Sequence, residues 1–192
     1  ALMEGTSRGR SCTKEEMDAR RCLVKLQRMV RGPVTPAAIE RRLRERGGYV
    51  GQDDAVATLS LGMALHGHRI LQRVHHDADP LTLPRLAHLV IGPSGQGKTF
   101  LVERLAALGL AGDPLPFVRI DMDNVTEAGY YGLDLPTVAA GGAIAAAGGE
   151  KGVAEGSAIL FCDECDKLRS SGNPTHREVG GHYVQTAMLD LV

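Results

Sequence analysis

With 192 residues, 43% of them hydrophobic and 23% charged, the chain is large enough for one domain with a real core. A formal charge of −1 argues against a surface built for nucleic acid or an anionic membrane. No apolar run is long enough to cross a bilayer and no secretory-signal pattern opens the sequence, so a cytoplasmic protein is expected.

Residues 1–34 read as a charged N-terminal segment, with a helix expected from Lys14 to Val30 and broken by Pro33 and Pro36. Thr35 and Pro36 then open a second helix, Ala37 to Arg46, which Gly47 and Gly48 stop. A longer helical pattern runs from Asp53 to about Val74, with Val56, Leu59, Met63 and Ile70 among its apolar positions. His66, His68, His75 and His76 gather toward its end. Without an accompanying carboxylate pattern they are expected to be a solvated helix end rather than a metal site. An Asp- and Pro-rich loop follows, from His76 to Pro84.

The rhythm then changes. Ala87 to Ile91 predicts a short buried strand leading into a glycine loop, and Thr99 to Leu110 a helix. Phe117 to Asp121 and Ala158 to Cys162 predict two further strands. Short apolar strands alternating with helices imply an α/β fold, a parallel sheet between helix layers with ligand loops at the strands' carboxyl ends. Val138 to Gly156 is mostly Ala and Gly. Each Gly costs a helix about 1 kcal/mol relative to Ala, so a weak helix or a loop is expected there, with disorder around Gly148 to Gly152. The chain begins at Ala1 and stops at Val192 within an amphipathic pattern, so it is expected to be a piece of a longer protein.

The chemistry concentrates in two places. Gly92, Pro93, Ser94, Gly95, Gln96, Gly97, Lys98 and Thr99 fit the G-x-x-x-x-G-K-[ST] phosphate loop. A polyphosphate must be wrapped by main-chain N–H groups, glycine permits the tight turn, and the following helix adds its positive end. Lys98 can reach the β- and γ-phosphates, and the Thr99 hydroxyl can serve Mg²⁺. The apolar run from Ala158 ends in Asp163 and Glu164, in the form of a Walker B segment. There Asp163 would hold Mg²⁺ and Glu164 would polarise the attacking water, which favours ATP hydrolysis over mere binding. Asp166 and Lys167 read equally well as a solvated helix start. Cys162 and Cys165 have C-x-x-C spacing, but no second ligand pair follows, so structural thiols are expected rather than a zinc or redox motif. Gly129, Tyr130, Tyr131 and Gly132 place two aromatics between glycines, either a turn with buried rings or a loop that presents a ring to a ligand.

From Thr35 to Val192 the chain resembles the AAA+ ATPases, and within them the ClpX-type protein unfoldases. The resemblance rests on Thr35 and Pro36, on Tyr49 to Ala55, on Ile91 to Thr99, on Leu160 to Lys167 and, most discriminating, on Thr126 to Gly132. It implies an AAA+ large ATPase subdomain over residues 35–192, incomplete at its C-terminal end, that uses ATP and Mg²⁺. Tyr49 and Val50 would line an adenine pocket, and the nucleotide contacts would extend through Phe100. Tyr130 and Tyr131 would be the pore loop that grips a polypeptide in a hexamer's channel, with a ClpP-type peptidase as partner. Asn173, Pro174, Arg177, Val179, Val184 and Gln185 match the segment after Walker B. His182 and Tyr183 depart from it, and Cys12 and Cys22 do not supply the four-cysteine zinc pattern of ClpX proteins. A nucleic-acid-handling AAA+ motor of the clamp-loader or branch-migration type has a similar phosphate loop. The lack of net positive charge and the tyrosine loop weigh against it, and Asn173 and Pro174 favour ClpX over the related HslU.

Overall fold

The computed structural model describes residues 13–76, 86–122 and 135–165. Its elements, in chain order, are α1 (Lys14–Met29), α2 (Pro36–Glu45), α3 (Asp53–His76), α4 (Lys98–Leu108), β1 (Phe117–Asp121), α5 (Leu135–Ala146), α6 (Lys151–Ser157) and β2 (Ile159–Asp163). The local chemistry of the helix ends explains most of these limits. Thr13 and Glu16 form a reciprocal capping box at the start of α1, with bonds of 2.9 and 3.2 Å. The Thr35 hydroxyl accepts from the Ala38 N–H, and Pro36 takes the first helical position, where a missing N–H costs nothing. Arg44 of α2 reaches both Glu40 and Asp53, at 3.0 and 2.7 Å, fastening α2 to the first turn of α3.

Helix α3 is the spine of the molecule. Val56, Met63 and Ile70 recur every seven residues along its buried stripe, with Ser60 and Gly67 between them. Gly67 is a close-approach position, because a Cβ there would run into the side chains of Val34 and Leu110. Leu26 and Met29 of α1, Ile39 and Leu43 of α2, Leu101 and Leu105 of α4 and Val153 of α6 close on this stripe to form the main core.

The two strands pair in parallel, with Ile120 opposite Cys162 and Asp121 opposite Asp163. Side chains alternate across the sheet. Val118, Ile120 and Cys162 therefore leave one face, where Leu135 and Ala139 of α5 cover them, with Met122 beside them. Phe117 stacks on Phe161 on the opposite face, and there Asp163 meets Thr99 of α4. The expected parallel sheet between helix layers is present, with two strands among the described residues.

Two expectations are corrected. The run from Ala87 to Ile91 forms no strand among the described residues, and Leu89 and Ile91 are 82% and 84% exposed. A run becomes a strand only through ladder bonds to a neighbour, and among the described residues β1 and β2 pair only with each other. The Ala/Gly stretch is not disordered around Gly148 to Gly152. It folds as α5 and α6 joined by a turn in which Gly148 and Gly149 take left-handed φ of 71° and 85°. Packing of Ala139, Ala143 and Val153 into the two apolar clusters outweighs the propensity cost of its glycines. A third, smaller correction concerns His66, which faces inward rather than solvent: its Nε2 lies 3.1 Å from the carbonyl oxygen of Ser157 at the end of α6.

Candidate functional site

The glycine loop lies between the exposed run and the first turn of α4. Gly95 and Gly97 adopt φ of 80° and 79°, a region closed to most side chains, and this turns the main chain back over the helix end. Gly97 is the N-cap and carries no side chain, so no side-chain cap competes for the first N–H groups of α4. A Cβ at Gly95 would meet nothing within 4 Å, so the loop is open to solvent at that position. These features suit an anion, since the first N–H groups of a helix lack intrahelical partners and its dipole is positive at that end.

Lys98 folds back along the loop. Its ammonium donates to the carbonyls of Gly92 and Pro93 at 2.6 and 2.8 Å, beside the open cradle. Thr99, one residue on, donates its hydroxyl to Oδ2 of Asp163 at 3.2 Å. Residues 64 apart in sequence thus bring an alcohol and a carboxylate together next to the loop. A hard cation such as Mg²⁺ takes few protein oxygens and keeps waters, so this donor set fits it.

Glu164 follows with a left-handed φ of 58°. Its own N–H donates to Asp163 Oδ1 at 3.0 Å, and its side chain is exposed. A non-glycine residue in this region stores roughly 1–3 kcal/mol and persists where the surroundings hold it. Cys165 closes the turn, its thiol donating to the carbonyl of Cys162 at 3.2 Å. Burial pushes the Cys162 thiol above its usual range, and the nearby Cys165 adds to the shift.

Tyr49 and Phe100 come together at the side of the loop, stacked at 6.0 Å with Tyr49 buried. The Tyr49 hydroxyl stands 3.6 Å from where a Cβ on Gly97 would lie. Arg104 covers the Phe100 ring at 4.9 Å, a cation–π contact. Val50, by contrast, is 89% exposed and touches no part of the loop among the contacts described. The glycine-loop residues, Tyr49, Phe100, Thr99, Asp163 and Glu164 are thus neighbours. Gly129, Tyr130, Tyr131 and Gly132 lie outside the described residues, as do Asp166, Lys167 and the segment from Asn173 to Gln185.

Sequence reasoning missed two residues. Gln52 donates its amide to Gln96 at 3.2 Å, tying the segment before α3 to the tip of the loop. Arg119 of β1 pairs with Asp163 Oδ2 at 2.8 Å and lies 3.7 Å from Glu103. A lone Arg within an apolar strand, two positions before an Asp, is the one signal that would have pointed to it.

Comparison with known proteins agrees with this geometry. Residues 88–191 match the model of the ATPase family associated with various cellular activities (AAA). The ATP-dependent Clp protease ATP-binding subunit ClpX of Porphyromonas gingivalis is 36% identical over 145 residues, covering 74% of this chain and 33% of that protein. The protein of the same name from Azotobacter vinelandii is 36% identical over 165 residues, covering 82% and 36%, and that from Borrelia duttonii 33% identical over 164 residues, covering 84% and 36%. The chain therefore spans about a third of the length of these relatives. With a family match over more than half its length, laid over a glycine loop and an acidic strand end that meet in space, the chain belongs to the AAA family of ATPases.

Proposed function

We propose that this chain is the ATP-binding and ATP-hydrolysing part of a ClpX-like protein unfoldase, which as an intact protein works in the cytoplasm as a hexamer and passes polypeptide to a ClpP-type peptidase. The observation that carries the reading is the 3.2 Å meeting of Thr99 and Asp163 beside an uncapped, glycine-turned helix start. The similarity to three proteins named as ATP-binding subunits of Clp protease supports its finer part.

On this reading the amides of residues 95–99 and the Lys98 ammonium bind the phosphates. Lys98 leaves its two carbonyl partners to do so, exchanging neutral acceptors for charged ones, which make stronger bonds. Thr99 and Asp163 hold Mg²⁺, which when bound supplies positive charge to the phosphate oxygens. Glu164, exposed at the strand end, orients the attacking water and accepts its proton. Tyr49 and Phe100 form an apolar wall beside the loop that suits a purine. Tyr130 and Tyr131 are assigned to the polypeptide in the pore on the resemblance of their segment.

The test uses the intact protein with a folded substrate. Loss of the charged Lys98 contacts, at about 1.5–3 kcal/mol each, makes Lys98→Ala weaken ATP binding at least ~10-fold. Glu164→Gln keeps binding and stops turnover, and Tyr130→Ala hydrolyses ATP yet stalls on the substrate. Unaltered ATP affinity in the Lys98 variant overturns the site. Salt-sensitive DNA binding, with normal unfolding by the Tyr130 variant, overturns the unfoldase reading in favour of a nucleic-acid motor.

A further inference from the structure

We propose that Cys162 and Cys165 form a reversible disulfide, a redox-sensitive modification site on the far side of the sheet from the glycine loop, and that closing it slows ATP turnover. The parallel register sets Cys162 opposite Ile120, so its side chain leaves the sheet on the α5 face. Cys165 packs against the same small cluster of Ile120, Met122, Leu135 and Ala139. Neither is held in a disulfide, and both are partly open to solvent. The Cys165 sulfur is 3.2 Å from the Cys162 carbonyl oxygen. That oxygen is about 2.4 Å from its own Cα, so the sulfur lies at most about 5.6 Å from the Cys162 Cα. A cysteine sulfur stands about 2.8 Å from its own Cα, so the two Cα atoms are at most about 8.4 Å apart, and a disulfide requires them to settle within roughly 4.4–6.8 Å. Closing the bond takes a rotation of Cys165 from carbonyl to thiol together with an adjustment of the 162–165 turn. Cys22, the other cysteine described, packs elsewhere, between α1 and Gly152 of α6.

The electron balance is simple. Two S–H bonds are given up and one S–S bond forms, and the two electrons and two protons reduce a low-molecular-weight disulfide, such as oxidised glutathione, to its two thiols. The ring so closed contains Asp163 and Glu164. Glu164 already holds a left-handed backbone conformation, and its N–H is bonded to the Asp163 carboxylate. Moving the Cys165 sulfur off the Cys162 carbonyl re-forms this turn and displaces both acids. Lys98 and the glycine loop, on the other side of the sheet, are left in place. The effect on turnover rests on the reading of Asp163 and Glu164 as the acids of the ATPase site; the formation of the bond does not.

The intact protein, equilibrated in glutathione buffers from reducing to oxidising, is alkylated and peptide-mapped, and its ATP binding and hydrolysis are measured in parallel. The peptide carrying residues 162–165 is expected to lose two hydrogens. Hydrolysis falls roughly 10- to 100-fold, in keeping with a catalytic group displaced by about 1 Å, while ATP binding stays and dithiothreitol restores turnover. Cys165→Ser and Cys162→Ser each hydrolyse ATP like the reduced protein and ignore the oxidant. Two alkylated thiols, or two thiols each carrying glutathione, overturn the proposal. So does a complete disulfide with undiminished hydrolysis. Failure of the site reading looks different: there Glu164→Gln hydrolyses normally, whatever the state of the thiols.

Discussion

At one oxygen of Asp163, two donors meet: the Thr99 hydroxyl at 3.2 Å and the Arg119 guanidinium at 2.8 Å. A cation held by this carboxylate has to displace or share with Arg119. Replacing Arg119 with Met removes the charged donor and leaves the carboxylate its bonds from Thr99 and the Glu164 N–H. Asp163 is 17% exposed but Arg119 is 52% exposed, so water screens the pair and its worth is about 0.2–1 kcal/mol. The Mg²⁺ concentration that half-saturates ATP hydrolysis should therefore fall in the variant by no more than about fivefold. A titration that instead needs more Mg²⁺ would mean that Arg119 holds Asp163 in its working position. The glycine loop through Thr99 stood out in the sequence by its fixed spacing, and Asp163 and Glu164 by the apolar run that precedes them. Arg119 and Gln52 did not, since their importance lies in pairings across strands and loops that only the fold supplies.

Among the elements, α5 shows why composition misleads. Its run of Ala and Gly has no polar face and few strong signals, and by propensity it is marginal. Gly141 and Gly142 are adjacent yet differ in what a methyl group would meet. At Gly141 there is nothing within 4 Å, whereas at Gly142 a Cβ would stand 2.8 Å from a methyl of Val118 on β1. Gly141→Ala should raise stability by about 0.5–1 kcal/mol through helix propensity alone. Gly142→Ala gains the same propensity but loses it to crowding, typically about 1–3 kcal/mol. Denaturant midpoints of the two variants should separate accordingly, and equal midpoints would show that β1 and α5 do not pack as closely as described. The capped helices α1 and α2 were legible to within a residue or so at each end, because Thr13, Thr35 and Pro36 write their limits into the sequence. Ala87 to Ile91 was misread because hydrophobicity marks a segment that seeks a partner but cannot say whether the partner is in reach.

For the molecule as a whole, His66 joins α3 to the end of α6, just before β2. Burial lowers its pKa below the usual 6.5, the bond to Ser157 opposes that shift, and Arg69 adds to it. The folded state thus takes up a proton less readily than the unfolded chain. Stability is complete at neutral pH and is lost as pH falls below about 6.5, by at most about 1.4 kcal/mol per pH unit. His66→Gln should flatten this slope. The check is the difference in Tm between about pH 7.5 and about pH 5.5, larger in the parent than in the variant. A histidine cluster on a helix gave no hint of this, since exposure depends on where α6 lies.

The bare run before the phosphate loop has a consequence of its own. Leu89 and Ile91 stand almost wholly in water, and full burial of such side chains is worth about 1.5–3 kcal/mol each. That free energy is unclaimed one residue away from Gly92. Whatever surface shelters the run will stiffen the backbone leading into the cradle, and any grip the cradle takes on phosphate must, by reciprocity, favour the sheltered arrangement. Wetting and anion affinity are in this way two ends of a single lever.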